Sequence, residues 1–191
     1  MRIKDTDVID LITGNNKRGM VAGNNLQALV NQLLGNRSIE QLKLPFTAVA
    51  TNLNSGNVAL FRSGDTGFAV RASCSIPGIF IPARQNDQEY ADGGLVSPVP
   101  IKIARELGAD RVIAVDVSAP PSSNQLHGMY ELLMHSFEIM GASLIRAEAS
   151  FADAMIKPEI GSLSGSDFTA RSQMIGLGYQ AVMRMATPLR E

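Results

Sequence analysis

The stretch Glu89-Tyr90-Ala91-Asp92-Gly93-Gly94-Leu95-Val96-Ser97-Pro98-Val99-Pro100 decides the reading of this chain. Residues 89–91 form a short strand candidate that ends at an acid. Two glycines behind that acid let the backbone take φ > 0 and turn sharply, so Asp92 is expected at a strand end with open space beside its carboxylate. Pro100 suits a helix start, Ile101, Ile103, Ala104 and Leu107 supply its apolar side, and Gly108 closes it. Residues 111–117 then hold a continuous apolar run, Val112-Ile113-Ala114-Val115, as expected of a strand buried on both faces. A helix followed two residues later by such a strand is an α/β unit.

Upstream, Arg71-Ala72-Ser73-Cys74-Ser75-Ile76-Pro77-Gly78-Ile79-Phe80-Ile81-Pro82 forms a second distinctive block. Pro77 and Pro82 make its second half extended, while Phe68 to Ser73 reads as a short helix capped from the segment Ser63-Gly64-Asp65-Thr66. Before it, residues 46–53 and 58–62 are the arms of a hairpin around Asn54-Ser55-Gly56-Asn57. Residues 1–23 are punctuated by Gly14, Asn15, Asn16, Gly19 and Gly23. Asn24 or Asn25 is expected to cap a helix running to about Leu34, with one further helical turn at residues 38–42.

Beyond residue 117, Pro120-Pro121-Ser122-Ser123-Asn124 reads as a loop. A helix over residues 125–151 places Met129, Leu133, Phe137, Met140 and Leu144 at steps of three and four. Such a stripe is expected to pack in a core, a lipid-binding face being the alternative. Residues 155–160 read as a short strand, 161–166 as a serine-rich loop and 167–185 as a last helix.

Composition narrows the function classes. With 17 basic and 18 acidic residues the net charge is −1, which leaves no concentrated basic face for nucleic acid. One cysteine permits no internal disulfide and no zinc-ligand spacing. No apolar stretch reaches membrane-spanning length and the start carries no apolar leader core, so a cytoplasmic location is expected, with peripheral membrane contact left open. His127 and His135 are eight residues apart and do not make an i, i+4 metal pair. Asp116 ends a strand much as Asp92 does; a structural hydrogen bond is expected of it, a metal or second-acid role being the alternative.

The order strand, Asp-Gly-Gly, Pro-x-Pro, helix, Gly-Ala-Asp, strand, with Ala-Ser-x-Ser-Ile-Pro-Gly about twenty residues upstream, resembles the C-terminal half of the patatin-like phospholipases. The similarity is strongest over residues 17–120 and is read across 1–191 as one partial domain. It implies an α/β fold, a three-layer α/β/α domain, and serine acyl hydrolysis by a Ser–Asp dyad without metal or organic cofactor. Asp92 matches the dyad acid, taking the proton from the serine directly, and partial desolvation is expected to raise its pKa. Gly93 and Gly94 shape its turn. The bland alternative is a turn aspartate bonded to its own backbone.

The resemblance also calls for a Gly-rich oxyanion loop and a Gly-x-Ser-x-Gly elbow, and neither occurs in these residues; Gly161-Ser162-Leu163-Ser164-Gly165 has leucine at its centre. Met1 is thus expected to fall after the nucleophile helix of a family domain. Three origins stay open: a truncated or misassigned reading frame, one piece of a larger protein, or a short form pairing with a complementary chain. Ser73 and Ser75 are expected to serve helix-end packing rather than nucleophilic attack, and Cys74 to be a small buried hydrophobe. Arg62, Arg71 and Arg84 are single charges available to an anionic head group. The expected partners are a lipid or small ester substrate, with a complementary chain or homo-oligomer open. The alternative function is a non-catalytic interaction or regulatory module that keeps the fold.

Overall fold

The computed structural model describes residues 4–12, 18–118, 128–161, 163 and 168–185. The chain divides into two units, one ending at Ser97 and the other beginning at Pro98.

The first unit is built on alanine. Strand β1 (Ala48–Asn52) lies between β2 (Val58–Phe61) and the strand that carries Asp92, and four of its five residues are buried. Its hairpin register with β2 runs from Ala48 opposite Phe61 to Thr51 opposite Val58. Helix α1 (Asn24–Leu33) packs on helix α2 (Thr66–Ser73), and α2 in turn packs on β1. The helices approach closely because Gly67 has no side chain: a Cβ there would run into the Gln27 carbonyl oxygen. Ala50, Ala72 and Ala83 are fully buried between α2 and the sheet. Around them Phe61, Phe68 and Tyr90 meet edge to face, with centroids 5.0–6.4 Å apart.

Asp65 caps α2 as expected of its position, its carboxylate accepting from the Phe68 amide at 2.9 Å. The cap of α1 differs from expectation. Neither Asn24 nor Asn25 caps it; Gly23 sits at the N-cap with φ 83°. The Asp10 carboxylate accepts instead from the amides of Gly23 and Asn24, at 2.6 and 2.8 Å, and more weakly from Asn25. Asp10 arrives there because Leu11 and Val21 bridge antiparallel and the Asp10 carbonyl accepts from Ala22.

Two further strands complete the sheet: β3 (Ala83–Gln85) and β4 (Gln88–Asp92), in the order β2-β1-β4-β3, all antiparallel. Strand β3 lies beyond the extended passage expected to end at Pro82. Its turn holds Asn86 at φ 49° and Asp87 at φ 59°, the left-handed pair that a tight two-residue hairpin needs, and those two residue types were its sequence signal.

In the second unit, helix α3 (Ile101–Glu106) leads into strand β5 (Ile113–Val115), and β5 pairs in parallel with β6 (Ala154–Ile156). Ile101, Val112 and Ala114 form its buried cluster. The expectation of a strand covered on both faces fails. Val112, Ala114 and Asp116 are buried, whereas Ile113, Val115 and Val117 are 58%, 48% and 66% exposed, so only one face is packed. Helix α4 (Met129–Glu148) corrects a second expectation. Its periodic stripe is only partly covered: Phe137 and Leu144 are half-buried, Met129, Leu133 and Met140 are exposed, and the buried residue is Ile145. Helix α5 (Arg171–Met185) packs on β6 through the side that holds buried Ala181.

Helices and strands are mixed in both units, with two strand pairs among the helices of the first and alternation in the second, so the chain is of the α/β class. The proline-rich loop at 120–124, His127, and most of the serine-rich loop lie outside the described residues.

Candidate active site around Asp92

Asp92 closes β4 opposite Ala50 of β1 and starts a single 3-10 turn, Gly93–Leu95. Three contacts fix its backbone. Its amide donates to the Ser75 carbonyl at 2.9 Å, and its carbonyl accepts from the Thr51 hydroxyl at 2.8 Å. The third is the ladder with β1. Thr51 carried no sequence signal for this task, because one threonine on a buried strand reads as a β-favouring residue.

The two glycines act differently from expectation. Neither takes positive φ. Gly93 is fully packed against β1, and a Cβ there would strike the Val49 carbonyl oxygen. At Gly94 a Cβ would come within 2.8 Å of Asp92 Oδ1. The requirement is therefore for space beside the backbone and the carboxylate, and not for a left-handed turn.

The carboxylate itself is half-buried. Oδ1 accepts from the Gly94 amide at 2.6 Å, which is the bond the bland reading anticipated. Among the described residues Oδ2 accepts no hydrogen bond. Burial raises the Asp92 pKa above the usual carboxylate range, and the Gly94 hydrogen bond only partly offsets it. The result is a carboxylate oriented through one oxygen, with the other free to take a proton.

The neighbouring block takes the roles expected of packing. Ser75 is buried, and its hydroxyl donates to the Arg71 carbonyl at 2.8 Å, closing the end of α2. Among the described residues no serine hydroxyl bonds the Asp92 carboxylate. Cys74 departs from the expected buried hydrophobe: at the C-cap of α2 it is exposed, while desolvation first and the Asp92 charge second raise its thiol pKa. A thiol raised in pKa is a poor nucleophile.

The three arginines are dispersed. Arg71 donates to Asn24 and Gln27 of α1, while its buried Nε has no hydrogen-bond partner among the described residues. Arg84 pairs with Asp87 across the β3–β4 turn at 2.8 Å, and Arg62 is exposed after β2. An arginine not singled out by the sequence, Arg18, grips the Glu89 carboxylate on β4 with both terminal nitrogens, at 2.7 and 2.6 Å.

Asp116 has the structural role expected of it. It is buried at the end of β5 and bonded to Ser118 and to Lys157 Nζ at 2.8 Å. Burial pushes its carboxyl up, but the Lys157 and Ser118 hydrogen bonds outweigh that and hold it below the usual range. His135 lies 3.2 Å from Glu138 on α4. Among the described residues no cluster of three or more His, Cys, Asp or Glu side chains is placed to hold a metal ion, and no helix is long and apolar enough to cross a membrane.

A family model described as patatin-like phospholipase matches residues 2–105, which include β1 to β4 and the whole Asp92 turn. The chain belongs to the patatin-like phospholipase family. Within this family it is 36% identical over 100 residues to an uncharacterized NTE family protein of Mycobacterium tuberculosis, covering 52% of this chain and 28% of that one. A second such mycobacterial protein is 26% identical over an alignment that covers 85% of this chain and 32% of its own length. The mouse patatin-like phospholipase domain-containing protein 7 is 30% identical across 52% of this chain and 8% of its own. The chain thus spans about a third or less of the curated relatives it matches. This patatin-like chain shares family with lipid hydrolases, and its Asp-Gly-Gly turn lies in the matched segment.

Proposed function

We propose that this chain carries the acid half of a Ser–Asp dyad that hydrolyses lipid acyl esters, with Asp92 as the proton acceptor. The observation that carries the reading is the Asp92 carboxylate: Oδ1 pinned by the Gly94 amide, Oδ2 without a hydrogen bond among the described residues, and its pKa raised by burial. As a serine Oγ attacks the ester carbonyl, its proton passes to Oδ2. Asp92 then returns that proton to the leaving alkoxide, giving an acyl-serine and free alcohol. In the second half Asp92 takes a proton from water as the water oxygen attacks the acyl carbonyl, and it returns that proton to the departing serine Oγ, which releases the free acid and regenerates the serine. A base raised above the ordinary carboxylate range matches its proton affinity better to the hydroxyl it must serve.

The nucleophile and the oxyanion donors are not among these 191 residues, so the reading assigns them to polypeptide outside this sequence. The isolated chain is accordingly expected to be without dyad hydrolysis.

The test is Asp92→Asn in the natural protein that contains these residues, assayed on a chromogenic short-chain ester and on phospholipid vesicles. The reading expects kcat to fall roughly 10²–10⁴-fold. It also expects the acid limb of the kcat/KM profile to lie above the ordinary carboxylate range. Undiminished hydrolysis by Asp92→Asn would remove the assignment. A natural protein that hydrolyses neither substrate would favour the second reading, a non-catalytic interaction module, which is supported by the lack, among the described residues, of any serine hydroxyl bonded to the Asp92 carboxylate.

A further inference from the structure

The Asp92 carboxylate is aimed by a turn with little rigidity of its own. Gly93–Leu95 is one 3-10 turn, and two of its three residues are glycine, which has the widest choice of φ and ψ. Glycine is needed there because a Cβ at 93 would strike the Val49 carbonyl oxygen and one at 94 would crowd Asp92 Oδ1. The site thus gains space and loses conformational restraint at the same two positions. The Gly94 amide that pins Oδ1 at 2.6 Å lies inside this pliable stretch. The direction of Oδ2 therefore depends on how the turn is held.

Local bonds hold its far end, where the Gly93 carbonyl accepts from the Val96 and Ser97 amides at 3.1 and 2.8 Å. The near end starts at the Asp92–Gly93 peptide, whose carbonyl oxygen accepts from the Thr51 hydroxyl at 2.8 Å. Thr51 is buried on β1 opposite Ala91, one step along from Ala50, the residue that faces Asp92. Because a peptide is planar, a donor that fixes the Asp92 carbonyl also fixes the Gly93 amide, and with it the ψ of Asp92. Rotation of that plane would carry Gly93 and the Gly94 amide away from Oδ1.

On the reading of Asp92 as the dyad acid, we infer that Thr51 is its positioning residue. The buried hydroxyl on β1 locks the Asp92–Gly93 peptide, keeps the Gly94 amide on Oδ1 and so holds Oδ2 in line for proton transfer. Threonine suits this place twice. Its β-branched side chain fits a buried strand as valine would, and its hydroxyl adds the donor that valine lacks. Misplacing a reacting group by about 1 Å costs on the order of 10²-fold in rate, so the hydroxyl acts on turnover and leaves ester binding to other residues.

The test uses the natural protein that contains these residues, a chromogenic short-chain ester, and Thr51→Val, which keeps the shape and removes the donor. It should lower kcat roughly 10–100-fold with KM changed by less than about twofold. Thr51→Ser, which returns the hydroxyl, should recover most of the loss. Added to Asp92→Asn, Thr51→Val should cost nothing further, because a residue that acts through the carboxylate has nothing left to aim. Hydrogen–deuterium exchange gives a readout independent of hydrolysis: Thr51→Val should speed exchange at the Gly94 amide roughly 10-fold. Full activity of Thr51→Val beside an inactive Asp92→Asn would overturn the inference and leave the dyad standing. Undiminished hydrolysis by both variants would remove the dyad and this inference with it. A loss in Thr51→Val that Thr51→Ser does not recover, or that leaves Gly94 exchange unchanged, would mark a packing role and overturn it as well.

Discussion

For a half-buried carboxylate with one oxygen pinned by the Gly94 amide, and the other without a hydrogen bond among the described residues, the charged form comes at a cost to the fold. Because folding raises the Asp92 pKa, the folded state binds the proton more tightly than the unfolded one, and stability falls as pH climbs from about 4 through the folded value. Asp92→Asn removes that penalty and keeps an oxygen for the Gly94 amide. It should raise Tm at pH 7 by about 1–4 °C. The difference should vanish below about pH 4, where both side chains are neutral. Thermal melts of the two proteins across pH check this, and a lower Tm for the variant at pH 7 would mean that the charge is not a burden. The Asp-Gly-Gly signature was legible in the sequence as a turn and a candidate site, but the reason for its glycines was not. Glycine at 94 answers to the aspartate's own oxygen two residues back, whereas glycine at 93 answers to the Val49 carbonyl, on a strand more than forty residues upstream.

Among the elements, α1 has the least local means of starting. Its first amides are satisfied by Asp10, fourteen residues before Asn24. Asp10→Ala should cost about 1–2 kcal/mol, a loss of roughly 2–8 °C in Tm, whereas Asn24→Ala should leave the cap intact. Equal losses from both would put the cap back on Asn24. This division marks where sequence reading works. The β1–β2 hairpin, the Asp65 cap and the closure of α3 at Gly108 were legible because their signals lie within a few residues. The Asp10 cap requires the chain to fold back before the carboxylate meets the helix, so periodicity and neighbours do not reveal it. The faces of β5 and α4 were misread for a related reason. An apolar residue states a preference for burial, and only the packed neighbours decide whether it is met.

For the molecule as a whole, the acid limit of stability should be set in the second unit by Asp153. Its carboxylate accepts from the Val112 amide at 2.7 Å and from Arg111 and Arg105, so the residue before β6 is tied to the start of β5 and to α3. The Val112 amide foremost, with both arginines, holds its pKa at about 2. A depressed acid contributes fully above its unfolded pKa near 4 and loses that contribution as pH falls towards 2. Melts at falling pH should show this slope, and Asp153→Asn should flatten it; a slope that persists in the variant would place the acid sensitivity elsewhere. The alanine layer of the first unit has a consequence for how the gene can drift. A single base change turns an alanine codon into one for glycine, serine, valine, threonine, proline, aspartate or glutamate. At Ala50, Ala72, Ala83 and Ala91, where no surface is left exposed, all but glycine add bulk, charge or a hydroxyl to a space already filled. The genetic code thus offers these positions almost no tolerated neighbour, and the layer that positions the Asp92 strand is shielded from gradual change by the poverty of its one-step alternatives.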